Sequence, residues 1–380
     1  MVLTFAIISL LLWMYLALAQ GRFWRISAFM LRAGRSPGSE PLIAVVVPAR
    51  DEADVMAPCI QSLLQQRGSR VHVFLIDDAS LDGTASVAAR AAQLIGRHTQ
   101  LTVISGLPLP AGWSGKLWAV QQGIESASRI NPDYLLLTDA DIVHAPDNFQ
   151  RLISVAESGF DLVSVMVKLH CQTFAERALI PAFVFFFLML YPPAWIANPN
   201  RKIAGAAGGC ILIRPQALRN AGGIAAIRSE IIDDCALARR VKRSGGRVWL
   251  GLSDATCSIR PYKSFTAIGS MISRTAFNQL QHSALLLLFA LLGLAVVYLL
   301  PPVLLLNGHL VPEALSGLAW LLMSLCFLPT VRLYRLNPLW SVALPAIAVF
   351  YMGATLHSAF RFWRGKGGAW KGRVQDPART

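Results

Sequence analysis

Two carboxylates one residue apart, Asp139 and Asp141, follow the apolar run Tyr134-Leu135-Leu136-Leu137. A buried strand that ends in Asp-x-Asp aims both acids at the carboxyl edge of a sheet. Hard divalent cations take oxygen ligands, and Mg2+ characteristically joins one or two carboxylates to substrate phosphates. A solvated strand end carries the same residues, so the bare motif decides little. Three further acidic clusters accompany it: Asp51-Glu52, Asp77-Asp78 and the stretch Glu230-Ile231-Ile232-Asp233-Asp234. A carboxylate within reach of a hydroxyl can take its proton, a role open to Asp233 or Asp234. Helix N-capping is the competing role for that pair. Lys116 follows Gly112-Trp113-Ser114-Gly115 and opens a helical pattern, where charge and helix dipole both favour phosphate. His144 is assigned to the loop after the Asp-x-Asp and is not counted as a ligand. The small residues Gly205-Ala206-Ala207-Gly208-Gly209 could let backbone approach a ligand, although tight turns need the same types.

The elements around these residues alternate. Ile43 to Val47, Val71 to Ile76, Leu101 to Ser105 and Tyr134 to Thr138 read as strands. Val55 to Gln66, Thr84 to Leu94 and Lys116 to Ala127 carry helical periodicity between them. Strands that are apolar on both faces and alternate with helices imply an α/β fold with a mostly parallel sheet. Ligands of such sheets lie beyond the carboxyl ends of the strands. Asp51 and Glu52, Asp77 and Asp78, and the Asp-x-Asp all fall there.

With these residues in place a family resemblance emerges. Val47-Pro48-Ala49-Arg50-Asp51-Glu52, Ile76-Asp77-Asp78-Ala79-Ser80-Leu81-Asp82-Gly83-Thr84 and Asp139-Ala140-Asp141 resemble the family-two glycosyltransferases of GT-A fold, over residues 40–265. The Gly112–Lys116 element, one amino-terminal anchor and several late membrane stretches are similar to the lipid-directed branch. That branch includes ceramide glucosyltransferases and the bacterial hopene-associated glycosyltransferases, and the latter resemble this chain over nearly its full length. The resemblance implies a Rossmann-like GT-A domain and a nucleotide-sugar donor, with UDP as the default. It places Pro48, Glu52 and Asp78 at the nucleoside, Lys116 and Asp139 at the diphosphate, and Mg2+ or Mn2+ on Asp139 and Asp141. Asp234 matches the catalytic base, with Asp233 the alternate.

One departure narrows the reaction. Processive and ceramide-type relatives carry Gln or Arg, two residues, then Arg-Trp; the corresponding Met271-Ile272-Ser273-Arg274-Thr275 keeps only the arginine. Arg274 is expected at the diphosphate, while the missing tryptophan favours a single transfer over polymerisation. The leading expectation is an inverting enzyme that moves one sugar to a lipid acceptor, a hopanoid or related lipid. A processive polysaccharide synthase and a catalytically silent lipid-pathway scaffold are the alternatives.

Composition sets the compartment. The chain is 54% hydrophobic and 15% charged, with a mean hydropathy of +0.49, which places it in a membrane. Residues 2–19 are apolar and precede Arg22, Arg25, Arg32 and Arg35. That order is reversed relative to a signal peptide and suits an uncleaved anchor with a cytoplasmic sequel. Residues 284–306, 314–330 and 339–360 are further candidate spans, the middle one short and ending at Pro329. If all three cross, the basic tail with Arg361, Arg364, Lys366, Lys371 and Arg373 lies outside, against the charge rule, so the span count stays open. The aromatic stretch Leu179 to Ile196 is expected in the membrane interface without crossing. The expected organisation is an anchor at 1–21, a GT-A domain at 40–265 with an interfacial segment at 178–197, membrane helices at 284–360 and a basic tail at 361–380. The expected location is the bacterial inner membrane, multi-pass, with the catalytic domain cytoplasmic. The net charge of +14 clusters beside apolar segments, which fits anionic lipid and not nucleic acid. Six cysteines without metal-ligand spacing read as reduced thiols.

Overall fold

The computed structural model describes residues 1–32 and 40–365, and beyond them only the backbone of 369–370 and 373–374. Arg35 and most of the expected basic tail lie outside the described residues. The chain divides into two compact units. One comprises Phe29–His170, Trp195–Arg260 and Ala369–Thr380; the other comprises Met1–Ala28, Cys171–Ala194 and Pro261–Gly368. Each unit is assembled from separated stretches of sequence.

The first unit is α/β. Its strands are β1 (Leu42–Ala49), β2 (Arg70–Asp77), β3 (Leu101–Ser105), β4 (Tyr134–Thr138), β5 (Ile142–His144), β6 (Leu162–Lys168), β7 (Cys210–Ile213) and β8 (Val248–Ser258). They form one eight-stranded sheet in the order β3-β2-β1-β4-β7-β6-β8-β5. The run Ile43-Ala44-Val45-Val46-Val47 is fully buried, as a strand covered on both faces requires. Helices Ala53–Leu64, Thr84–Leu94 and Gly115–Ser128 make the crossovers that parallel pairing demands. β3, β2, β1 and β4 are therefore parallel. Beyond β4 the sheet is mixed, because β7 enters antiparallel, with Thr138 opposite Cys210. The loop before β7 thus arrives at the same edge as the carboxyl ends of β1, β2 and β4. Val45, Leu75, Leu136, Val163 and Leu212 from five strands share the core with Met56, Ile60 and Phe149 from the covering helices.

The second unit is built from apolar helices. Val2–Leu18 has 17 residues. Phe174–Ala197, Ala284–Leu304, Leu310–Leu333 and Pro338–Trp363 are each long and apolar enough to cross a membrane. The middle late stretch does not stop at Pro329 as expected; its helix runs on to Leu333 with the proline inside. Proline removes one helical hydrogen bond, a loss that a helix tolerates where neighbouring groups supply the freed carbonyl with another donor. Pro301 has the same defect, and there the compensation is visible. With no N–H on Pro301, the carbonyl of Val297 loses its helical donor, and the Trp13 indole donates to it at 2.7 Å. At the start of Phe174–Leu190, Thr173 and Glu176 form a capping box. The buried Glu176 carboxylate also accepts from Tyr262 N at 2.6 Å. All six cysteines are free thiols.

Gly251 fixes how β8 meets the segment beside it. Leu252 N donates to Phe29 O at 2.9 Å and Leu31 N donates to Leu252 O at 2.7 Å. A Cβ on Gly251 would lie 2.4 Å from the Phe29 carbonyl oxygen, so backbone would have to move. Gly251→Ala is expected to destabilise the unit by about 1–3 kcal/mol through overpacking, read as a lowered melting temperature in detergent.

Candidate active site

The loops after β1 and β2 are laced together. Asp51 and Ala79 both take left-handed backbone, at φ 51° and 55°, a conformation that non-glycine residues adopt only where surroundings impose it. The imposing bonds are present. Asp51 N donates to Ser80 Oγ at 3.0 Å and Leu81 N donates to Asp51 Oδ1 at 2.8 Å. Glu52 N donates to Thr84 Oγ1 at 2.8 Å and Ala53 N donates to Asp82 Oδ2 at 2.9 Å. Asp82 and Thr84 are therefore fasteners between two helix starts. Asp77 accepts from Ser80 N at 3.0 Å and closes its own turn. The buried Asp78 is held by Arg50, whose Nη1 donates to its carbonyl at 2.8 Å and lies 3.4 Å from its Oδ2.

At the end of β4 the acids meet two cations. Lys116 is the second residue of the helix Gly115–Ser128, whose amino terminus is capped by Ser114. Its Nζ lies 3.0 Å from Asp139 Oδ1 and 3.2 Å from Asp233 Oδ2. Asp233 and Asp234 open the helix Asp233–Arg243, and neither is its N-cap, which is Ile232. Asp234 instead accepts from Gly208 N at 2.8 Å and from Cys235 N at 2.7 Å. The loop carrying Gly208 is pinned by β4 and β6. Thr138 Oγ1 donates to Gly209 O at 2.7 Å, and Ala207 N donates to Ser164 Oγ at 2.8 Å. A Cβ on Gly208 would sit 3.4 Å from Asp234 Oδ2 and 3.5 Å from Lys116 Nζ, so a larger side chain there would cover both groups. Pro48, Lys116, Asp139, Gly208, Asp233 and Asp234 line one cavity.

The second cation is Arg260. Its Nη2 makes a close ion pair with Glu52, and its Nε lies 3.5 Å from Asp141 Oδ2. Ser258 Oγ donates to the same Asp141 oxygen at 2.6 Å.

These contacts set the protonation states. Burial raises the Asp234 carboxyl to about 6, with the neighbouring Asp233 pushing the same way and Lys116 opposing. Burial also raises Asp139, partly offset by Lys116. For Lys116 burial acts to lower the value, but Asp139, Asp233 and Asp234 outweigh it and hold the ammonium well above its ordinary range. His144 sits in β5 and not in a loop, because Ile142–His144 pairs antiparallel with β8. It is buried, lowered to about 3 by that burial, and shares hydrogen bonds with Thr138 and Asn148. It is a packing residue.

Asp139, Asp233, Asp234, Lys116 and Pro48 are thus brought together. Asp141 and Glu52 are joined through Arg260, and Asp78 is held against Arg50. Arg274 belongs to the other unit, exposed at the end of the helix Phe265–Ser273, and does not line the cavity. The guanidinium beside the Asp-x-Asp is Arg260 instead. Sequence reasoning missed Arg260, Ser258 and the Gly208 amide; Arg260 follows β8 without any motif, while the Gly208 loop gave only its run of small residues. Among the described residues no group of three or more His, Cys, Asp or Glu is arranged to hold a metal ion. The donor set is a pair of hard carboxylates, Asp139 and Asp141, which fits a Mg2+-type site whose remaining ligands come from substrate phosphates.

The chain is similar to known glycosyltransferases. The family model described as Glycosyl transferase family 2 matches residues 44–222. This stretch is a family 2 glycosyltransferase domain. An undecaprenyl-phosphate 4-deoxy-4-formamido-L-arabinose transferase from Klebsiella pneumoniae is 25% identical over 127 residues, 33% of this chain and 36% of the relative. One of the same description from Salmonella paratyphi B is 27% identical over the same shares. The chain thus spans about a third of the length of these curated relatives. Among solved structures, the mannosyltransferase PcManGT from Pyrobaculum calidifontis, in complex with GDP-Man and Mn2+, superposes with a TM-score of 0.59. It is 17% identical and the match covers 94% of this chain and 99% of that one, which shows a shared fold. The glycosyltransferase domain has the GT-A fold, and the chain also carries apolar helices of membrane-spanning length.

Lys116 is the charge that lets three carboxylates share this edge. A carboxyl raised in the folded state, such as Asp234, binds its proton more readily folded than unfolded. Its contribution to stability is present below about pH 4 and is lost as pH rises through about 6. Removing Lys116 enlarges that loss. Lys116→Met is expected to cost about 2 kcal/mol at pH 8 and distinctly less at pH 5, measured as melting temperature against pH.

Proposed function

We propose that this chain is a membrane-bound inverting glycosyltransferase that moves one sugar from a nucleotide-sugar donor to a lipid hydroxyl at the cytoplasmic face of the bacterial inner membrane. UDP is the expected base and a hopanoid or related lipid the expected acceptor. The observation that carries the reading is the single cavity in which Lys116 joins Asp139 to the Asp233-Asp234 pair. Donor and acceptor chemistry need those two acidic elements within one sugar's reach of each other.

Each residue has a part. Pro48 is near the end of β1, and Glu52 and Asp78 lie on the laced loops after β1 and β2, where the nucleoside would rest, and Asp78 would accept from the base. Lys116, at a capped helix start, would meet the diphosphate. Asp139 and Asp141 would hold Mg2+ or Mn2+, which when bound neutralises charge building on the departing diphosphate. Asp234 would take the acceptor proton. A group near 6 is ionised at neutral pH yet basic enough for that role, and Asp233 stays committed to Lys116. A lipid phosphate needs no such base at neutral pH, whereas a lipid hydroxyl does, which favours the hydroxyl acceptor.

The helix Phe174–Ala197 would lie in the membrane without crossing it. β6 before it and β7 after it are neighbours in one sheet, so both of its flanks lie on one side.

Radiolabelled sugar is expected to enter the organic phase as a single-residue product. Asp139→Asn and Asp234→Asn are each expected to lower the rate by about 100-fold or more. The wild-type kcat/KM should fall below about pH 6 as Asp234 protonates, with a one-proton slope. Undiminished transfer in Asp234→Asn and Asp233→Asn alike would remove the base assignment.

A further inference from the structure

Arg260 reaches two carboxylates that come from different ends of the domain sequence. Glu52 immediately precedes the helix Ala53–Leu64 without capping it through its side chain, and Asp141 follows β4. The Glu52 and Asp141 side chains are only 11% and 16% exposed, against 34% for Arg260. Two such acids at one sheet edge need a positive neighbour, and guanidinium, always charged and forked, can serve both at once. The Glu52 contact is the closer of the two. The Asp141 contact, at 3.5 Å, is the looser, and it falls on the oxygen that also accepts from Ser258.

We propose that Arg260 is the resident counter-cation of the Asp-x-Asp and that it couples divalent cation binding to donor binding. The inference rests on the metal assignment proposed above. A divalent cation arriving alone at Asp141 would confront a guanidinium on the same carboxylate, and the two positive charges compete for it. A nucleoside diphosphate changes the balance. Its phosphate oxygens offer Arg260 a bidentate partner, while Glu52 keeps the guanidinium within reach as Asp141 is released. Cation and diphosphate therefore bind together better than either binds alone, and by linkage each strengthens the other equally.

The test is Mn2+ titration of the full chain in detergent, followed by the electron paramagnetic resonance signal of free Mn2+, alone and with UDP or, in parallel, GDP. In the wild type one of the two nucleotides is expected to tighten Mn2+ binding about 10-fold or more. Arg260→Gln is expected to bind Mn2+ alone about 10-fold more tightly, and the nucleotide should then add less than about 3-fold. A merely structural arginine would give the opposite sign, with Mn2+ binding unchanged or weaker, and that result overturns the inference. Should Arg260→Gln fail to fold, Arg260→Lys decides. A point charge that cannot fork should release Asp141 in part and tighten Mn2+ alone, and unchanged or weaker binding overturns the inference. Wild-type protein that binds no Mn2+ with either nucleotide, or equal binding by Asp139→Asn and Asp141→Asn, would fail the metal assignment itself.

Discussion

The ammonium of Lys116 is the point on which the site depends. Asp139 ends one strand, Asp233 and Asp234 begin a helix nearly a hundred residues later, and half-buried carboxylates do not gather at one edge unless a cation offsets their repulsion. Lys116 can serve because its helix begins at that edge, capped by Ser114, with its positive end facing the acids. The antiparallel entry of β7 then does the rest. It brings the Gly208 loop to the same edge, where a backbone amide replaces a side chain as the donor to Asp234.

A second balance of the same kind lies beside the first. Asp139 and Asp141 point to different cations, one to Lys116 and the other to Arg260, so the Asp-x-Asp is split between two positive partners. Each cation in turn touches a second carboxylate, Asp233 or Glu52. Two cations thus meet four carboxylates, so the site stays negative before any substrate arrives, with its charged groups already held in place. Fixed charges of this sort cost little reorganisation when new charge develops among them.

How much of this could be read from the sequence depended on the range of the signal. The parallel half of the sheet was legible because β1 and β4 are continuous apolar runs, β2 is interrupted only by His72, and acids follow each of them, a local pattern. The pairing of the Asp233-Asp234 element with the Asp-x-Asp was legible only through a family resemblance. The reversed direction of β7 has no local signature, since Cys-Ile-Leu-Ile reads the same either way. Arg260 was invisible for a related reason: its meaning lies in two acids 208 and 119 positions away. A three-residue strand is too short to show its period, so His144 reads as a loop residue, and Pro329 reads as a helix end because proline usually closes a helix, whereas here it lies inside one.

The interleaving of the two units carries a consequence for biosynthesis. β6 emerges from the ribosome before the apolar helix Phe174–Leu190, while β7 and β8, which flank β6 in the finished sheet, emerge after it. The nascent chain therefore presents an apolar segment while its sheet still lacks β7 and β8. The acids of the cavity can meet only after that segment has been made, because Asp233 and Asp234 lie beyond it in the chain.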